Sequence, residues 1–578
     1  LFAELRRDPK VAARRLAVRL AWALLAAGAS LAVLIGGDLA AGYYFDGIKP
    51  LFPPAYLQVY VLLALFLSLS RGRWFRISGI AFLVLLQLVW LGMVAYSGDI
   101  LRPEMVRLGL SQGFEIAGAL AGEFELFLAP LVMAVLIFAG LLACQEAVGG
   151  RRALRGIAGN VLFVLLVVFG FARAGNMANY HVIYPNLYTP SVVGTINAVS
   201  LALRDDFGGF ALEPTPNAAA YSYTRIEPAE NPVTVAVIMG ESISPLRMSL
   251  YGGRGITTTP RLEKLAEADQ GYVLIPRLGF SAGTATLGSV PTFLNAVHKP
   301  QDVHGSGDSL LKIARNSGFG TAYLSAQRVK ALELAGGPGA ADYFETEEPW
   351  VDRIDEIRDD ILLEHIDRVG AGAGRQFFFI HQRVNHGPYR VNCPNGFDAD
   401  AVMGTQGDAL QTNRRQREYD AGIVCYDRSL AMLLDRLRQR KGALYVFITA
   451  DHNELMGLYG YWGHMAPILE TALVPMMLYT NRPDSDVAAR FKAEQWISAF
   501  ELVRLVVRGM GTELRVSDYR PGVIFINKGL PYGGGGYLRA TENADGSFAV
   551  ASYGPAGELI SDQSVRLSEA AYRFRPPR

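Results

Sequence analysis

Along the first third of the chain, uncharged apolar runs alternate with short basic loops. The runs cover 20–37, 51–70, 77–98, 126–145 and 157–172, several of them near the roughly 20 residues that a helix needs to cross the hydrocarbon core. One such run can be a buried helix of a water-soluble domain; five in succession predict a five-helix transmembrane bundle. The basic residues orient it. Arg6, Arg7, Lys10, Arg14, Arg15 and Arg19 precede or open the first run, Arg71, Arg73 and Arg76 lie between the second and third, and Arg151, Arg152 and Arg155 between the fourth and fifth. Those alternate loops share one side, which the positive charge makes the cytoplasmic one, so the N-terminus is cytoplasmic and everything after Arg173 lies outside. Because four more runs follow, the first reads as a span and not as a cleaved signal peptide. The stretch 99–125 mixes Leu, Val and Ile with Arg102, Glu104, Arg107 and Glu115, a spacing that fits a helix lying on the membrane surface. Residues 174–230, with Tyr180, Tyr184 and Tyr188, read as interfacial helices and a linker.

From residue 233 the rhythm shortens. The segments 233–240, 376–381, 443–451 and 473–479 are β-branched or aromatic and of strand length, and between them 307–317, 352–370 and 412–440 carry helical periodicity. Strands alternating with helices predict an α/β domain with a mostly parallel central sheet covered by helices. The chain thus divides into a transmembrane domain at 1–173, a linker region at 174–230 and a catalytic domain at 231–578.

Composition agrees with a membrane part joined to a soluble part: of 578 residues, 51% are hydrophobic, and the net charge is +1. So balanced a charge gives no footing for a nucleic-acid partner. The three cysteines exclude a cysteine zinc site; Cys393 and Cys425 can pair only if their half faces an oxidising compartment, and the residues leave that open.

In parallel sheets the chemistry gathers at the carboxyl ends of the strands. There the sequence places Glu241, His386 and the pair Asp451-His452, with His464 following in DHNELMGLYGYWGH. A mixed carboxylate and imidazole set suits Zn2+, and Mn2+ less well. Asp beside His is also what an N-capping Asp next to a surface His looks like. The segment SAGTATLGSVP (281–291) offers a hydroxyl at a helix N-terminus, where it can accept a phosphoryl group, although a plain Ser/Thr cap has the same appearance.

Taken together, GESISPLRMSLYG (240–252) with TTTPRL (257–262), GTATLGSVP (283–291), HQRVNHGPY (381–389), YDAGIVCYD (419–427) and ADHNELMG (450–457) with His464 resemble the bacterial phosphoethanolamine transferases. These are membrane-anchored enzymes whose outward domain belongs to the alkaline phosphatase and sulfatase superfamily. The resemblance implies a transferase of the bacterial inner membrane with a periplasmic catalytic domain. Glu241, Thr286, Asp451 and His452 would hold one tight zinc, with Thr286 as the nucleophile that becomes phosphorylated. His386 and His464 would bind the substrate phosphate or a second, weaker zinc, and His381, Glu454 and Gln327 would stand behind them, Gln327 also as a headgroup contact. The donor would be phosphatidylethanolamine, diacylglycerol would leave, and the acceptor would be a periplasmic or envelope glycan or lipid A. A lipid donor gives the membrane half its purpose.

The chain departs from the lipid A-modifying branch at Ala282 and Thr292, where that branch carries cysteines, and in YLSAQRVK (323–330), which replaces a headgroup-lining segment. The acceptor therefore stays open. The other readings are a phosphoglycerol transferase using phosphatidylglycerol, a phosphodiesterase or other hydrolase of the superfamily, and an inactive scaffold. The cysteine-based nucleophile motif of sulfatases is absent from the sequence, and every expected metal ligand is present.

Overall fold

The computed structural model of the chain describes residues 9–45, 48–97, 100–103, 105–106, 124–149, 153–174, 185, 188–203, 220–226, 230–253, 255–267, 271–300, 302, 308–327, 341–346, 359–369, 374–387, 389, 393, 397–404, 414–459, 463–464, 466–528, 536–554, 557–569 and 571. Most of the expected surface helix at 99–125, and most of 174–190, lie outside the described residues. The chain divides into two compact units, Leu1–Gly209 with Gly457–Trp462 and Phe210–Met456 with Gly463–Arg578.

In the first unit a helix forms at each of the five apolar runs: Pro9–Tyr44, Pro54–Leu69, Arg73–Ser97, Phe124–Ala143 and Ile157–Ala174. Three apolar stretches, Lys10–Tyr44, Arg73–Tyr96 and Phe124–Val148, are long enough to cross a membrane; Pro54–Leu69 and Ile157–Ala172 are shorter. The outward side chains are apolar: Leu131, Val132, Val135, Leu136, Val161, Leu165 and Phe169 are exposed, as suits a lipid solvent and not water. Several buried polar side chains are hydrogen-bonded to one another, which offsets the cost of burying them. Asp38 accepts from the hydroxyls of Tyr60 at 2.6 Å and Ser191, and from Gln87 Nε2 at 3.3 Å. Gln145 donates to Ser30 and Ser68 at 2.9 and 2.7 Å. Ser191 opens the helix Ser191–Ala202, which falls in the stretch expected to be interfacial yet is buried along almost its whole length. Its Gly194 lies so close to Trp90 that a Cβ would stand 2.2 Å from the indole.

The second unit is built on an eight-stranded sheet. Its strands are β2 (Val233–Gly240), β3 (Val273–Phe280), β4 (Gly320–Ser325), β5 (Tyr343–Thr346), β6 (Arg375–His381), β7 (Ala443–Ala450), β8 (Leu473–Thr480) and β9 (Trp496–Ser498), in the order β5-β4-β6-β2-β7-β8-β3-β9. Only β8 runs against the rest. Every residue of β2, β7 and β8 is buried, which explains their near-continuous apolar sequences: both faces are covered. β1 (Tyr221–Arg225) pairs with β10 (Thr512–Val516), and β11 (Val523–Asn527), β12 (Tyr537–Glu542), β13 (Phe548–Tyr553) and β14 (Leu559–Val565) form an antiparallel meander. That meander packs through Ile524, Leu538 and Phe548 against Phe280 at the end of β3.

Register decides where the chemistry collects. Met239 of β2 faces His381 of β6 on one side and Thr449 of β7 on the other, and Ser325 of β4 faces His381. The carboxyl ends of four adjacent strands are therefore level. Glu241, Gln327, Gln382 and Asp451 leave the sheet along one edge.

Candidate metal and phosphoryl-transfer site

The nucleophile candidate arrives from β3. Ala282 and Thr284 are tied to the meander, where Asn527 N donates to Ala282 O and Thr284 N to Asn527 O at 2.8 and 2.9 Å. Gly283 passes so close to the helix that follows that a Cβ would lie 2.8 Å from Ser289 N, so only glycine fits the turn. Ala285 is extended, and Thr286 is the first residue of the helix Thr286–Leu294. Its hydroxyl thus projects from the first turn toward the strand edge.

There Thr286 Oγ1 lies 2.8 Å from Asp451 Oδ2, 3.3 Å from His452 Nε2 and 3.4 Å from Glu241 Oε2. His452 Nε2 is 3.3 Å from Asp451 Oδ2 and 3.4 Å from Glu241 Oε1. Ligands about 2.0–2.1 Å from a tetrahedral zinc stand about 3.3 Å from one another. The separations of His452 from Asp451, Glu241 and Thr286, and of Thr286 from Glu241, are 3.3–3.4 Å and match such an edge, while Thr286 to Asp451 is shorter at 2.8 Å. A mixed set of carboxylates, imidazole and hydroxyl is one that can hold a divalent metal ion.

Charge makes the same point. Glu241, Asp451 and His452 are fully buried. Burial and the neighbouring Glu241 charge raise Asp451 to about 7. Burial also works against ionised Glu241, but its hydrogen bond to His452 and the nearby His386, His452 and His381 outweigh it and hold Glu241 well below the ordinary carboxyl range. Burial opposes the charge of His452, yet Asp451 and Glu241 lift it to about 9. The cluster is one that calls for positive charge between its carboxylates, which protonation or a divalent cation can supply.

Ser242 had no place in the sequence argument beyond the motif that contains it, yet it organises both acids. Its Oγ donates to Glu241 Oε1 at 2.8 Å and its N–H to Asp451 Oδ1 at 3.0 Å. To do both it takes a left-handed backbone, φ 57°, a strained state held by its surroundings. Tyr419 OH donates to Ser242 O, and Ser244 N donates to Tyr419 OH at 2.8 Å. The YDAGIVCYD motif is thereby explained as scaffolding. Asp420 pairs with Arg247 at 3.0 Å, Asp427 accepts from the backbone of Arg261 and Leu262, and Cys425 is disulfide-bonded to Cys393 with their Cα atoms 5.3 Å apart. Gly422 is required because a Cβ would lie 1.9 Å from Asn385 Oδ1 of the NHGPY loop.

The remaining histidines divide. His464 Nδ1 is 3.0 Å from Glu454 Oε2, its ring lies 4.1 Å from that of His452, and the donor atoms of His452, Glu454 and His464 gather within 4.8 Å. Tyr389, also unremarked in the sequence, donates to Glu454 Oε1 at 3.0 Å. His381 gathers with Glu241 and Asp451 within 4.8 Å. Burial lowers it to about 4, and neither ring nitrogen has a hydrogen-bond partner among the described residues. His386 turns Nδ1 to Gly387 O at 2.7 Å while lying near enough to Glu241 to bias its charge. Gln327 is engaged at both ends of its amide, with Glu241 at 2.6 Å and Arg383 at 3.0 Å.

Residues 233–508 match the Sulfatase family model. Across most of the chain the fold is that of the integral membrane lipooligosaccharide phosphoethanolamine transferase A from Neisseria meningitidis. The TM-score is 0.52 at 16% identity, covering 85% of this chain and 95% of that one. The zinc complex of the C-terminal periplasmic domain of EcEptC from Escherichia coli is similar at TM-score 0.45 and 18% identity, over 54% of this chain and 93% of that one. Among curated proteins, the candidate transferase YhbX of Escherichia coli O157:H7 is 24% identical over 329 residues. The match covers 56% of this chain and 56% of YhbX, so this chain spans about half the length of that relative.

Proposed function

We propose that this chain moves phosphoethanolamine from phosphatidylethanolamine to an acceptor on an envelope glycan or lipid A, with Thr286 carrying the group between the two. The observation that carries the reading is the convergence of Glu241, Asp451 and His452 on the Thr286 hydroxyl within 2.8–3.4 Å. An isolated threonine hydroxyl is a poor nucleophile, and this setting is one that activates it.

Glu241, Asp451, His452 and Thr286 would hold zinc, which when bound supplies positive charge that favours the ionised hydroxyl and offsets charge on the phosphoryl oxygens. In the first half-reaction Thr286 Oγ bonds to phosphorus and releases its proton to solvent. The bond from phosphorus to the glycerol oxygen breaks, and diacylglycerol leaves with a proton taken up. In the second half an acceptor hydroxyl loses its proton and bonds to phosphorus, the bond to Oγ breaks, and Oγ regains a proton. His386 and His464 would bind phosphoryl oxygens beside the cluster. The helix beginning at Thr286 opens at the same point, and a helix N-terminus favours an anion. The apolar helices of the first unit, with the N-terminus cytoplasmic and the catalytic domain periplasmic, would keep the enzyme in the inner membrane that contains its donor.

The test is donor choice. Full-length protein loaded with zinc is given vesicles of phosphatidylethanolamine or of phosphatidylglycerol, and diacylglycerol is counted. Release from phosphatidylethanolamine alone is expected; release only from phosphatidylglycerol would make the chain a phosphoglycerol transferase.

A further inference from the structure

Every lone-pair direction of Glu241 is spoken for. Oε1 accepts from Ser242 Oγ at 2.8 Å and faces His452 Nε2 at 3.4 Å; Oε2 accepts from Gln327 Nε2 at 2.6 Å and faces Thr286 Oγ1 at 3.4 Å. Each oxygen is thus gripped from behind by one donor and left one direction toward the cluster. The Ser242 grip is local, one residue away. The Gln327 grip is not, and an amide has two ends: turned over, it would present its oxygen to the carboxylate and repel it. Arg383 removes that choice. Its Nη1 donates to Gln327 Oε1 at 3.0 Å, and a guanidinium has only donors, so the NH2 end must face Glu241. Gln327 Nε2 also lies 3.3 Å from Gln382 O, a second acceptor that only an NH2 group satisfies. Arg383 is itself fixed, its backbone N–H donating to Asp359 Oδ1 at 2.8 Å, while Gln382 Nε2 donates to Asp359 Oδ2 at 2.9 Å. Gln327 and Arg383 are 8% and 5% exposed, so water cannot replace either contact cheaply.

We propose that Arg383 and Gln327 act as a relay that positions Glu241 for metal binding, Arg383 setting the orientation of the amide and the amide setting the carboxylate. They are positioning residues and touch no reacting atom. The inference rests on the reading above that Glu241 is a metal ligand. Groups that orient a metal ligand in this way commonly contribute 10- to 100-fold in metal affinity.

The experiment is a zinc titration of the full-length chain in detergent against a competing chelator dye, for the parent, Gln327→Ala, Arg383→Met and the double variant. Gln327→Ala is expected to weaken zinc binding about 10- to 100-fold. Arg383→Met is expected to weaken it by a smaller factor, and the double variant to be no weaker than Gln327→Ala alone, because Arg383 acts only through the amide. Zinc-free melting profiles close to the parent's separate this from general loss of structure. Should Arg383→Met not fold, Arg383→Lys, which keeps a donor and the charge, is expected to stay nearer the parent than Gln327→Ala does. Parental affinity in Gln327→Ala, or losses that multiply in the double variant, would overturn the relay while leaving the transfer reading intact. A parent chain that binds no zinc at all would instead defeat the metal reading and the relay with it.

Discussion

Thr286 and Asp451 are 165 residues apart in the chain, yet the threonine hydroxyl lies 2.8 Å from the aspartate Oδ2. Two crossovers of the sheet bring them together, one ending at the helix that Thr286 opens and the other at the carboxyl end of β7. Replacing Thr286 by Val keeps the volume and removes the oxygen; transfer, read as diacylglycerol released from phosphatidylethanolamine, is expected to fall by roughly 10³-fold or more. Thr286→Ser keeps the oxygen and is expected to retain measurable turnover.

The loop that carries Ser242 is moored by Arg247 to Asp420, a pair 3.0 Å apart with both side chains buried. Arg247→Met leaves a buried carboxylate without its partner, at an expected cost of about 3–5 kcal/mol in urea unfolding followed by proteolysis. Replacing both residues by apolar ones of similar volume should recover much of that loss.

Cys393 and Cys425 close a loop 32 residues apart in sequence that includes the helix Ala399–Met403. The chain-entropy model gives such a crosslink about 3–4 kcal/mol. Cys393→Ser with Cys425→Ser, or reduction of the parent, is expected to lower the unfolding free energy by that amount, read as a fall in the urea midpoint, and to loosen the HQRVNHGPY segment in hydrogen exchange before the central strands.

His298 is packed among the rings of Phe500, Tyr519 and Phe525, with centroids 4.9–5.2 Å away, and burial lowers it to about 4. Unfolded, it titrates near 6.5. Between those values the unfolded chain binds a proton that the folded one refuses, so its contribution is complete above about 6.5 and is lost as the pH falls toward 4. The loss is of order 3 kcal/mol. His298→Gln is expected to flatten the acid limb of a stability profile from pH 7 to 4.5; an unchanged slope would exclude this residue as its source.

Much of this was legible in the sequence because burial on both faces leaves an unmistakable trace. β2 and β7 are almost wholly apolar, and the polar residues just beyond them, Glu241 and Asp451-His452, stand out by contrast. β3 was hidden because VLIPRLGF contains Pro276, Arg277 and Gly279; Arg277 is tolerated there since its guanidinium reaches Lys492 O at 2.8 Å. β14, LISDQSV, was hidden for the opposite reason: it lies exposed at the edge of the meander and carries little apolar pattern. The expected strand ends identified the candidate ligands but not their supports. Ser242 and Arg383 look like ordinary polar residues until the fold sets Ser242 beside Glu241 and Arg383 beside Gln327. Gln327, expected behind the ligands and also as a headgroup contact, has both ends of its amide turned to protein partners.

The most direct test is peptide mass spectrometry of the zinc-loaded chain and of Thr286→Ala after exposure to phosphatidylethanolamine. A phosphoethanolamine group on the peptide containing Thr286, with diacylglycerol released and no adduct in Thr286→Ala, is the expected result. An adduct that persists in Thr286→Ala, or none in a parent chain that releases diacylglycerol under conditions that trap covalent intermediates, would contradict the role given to Thr286.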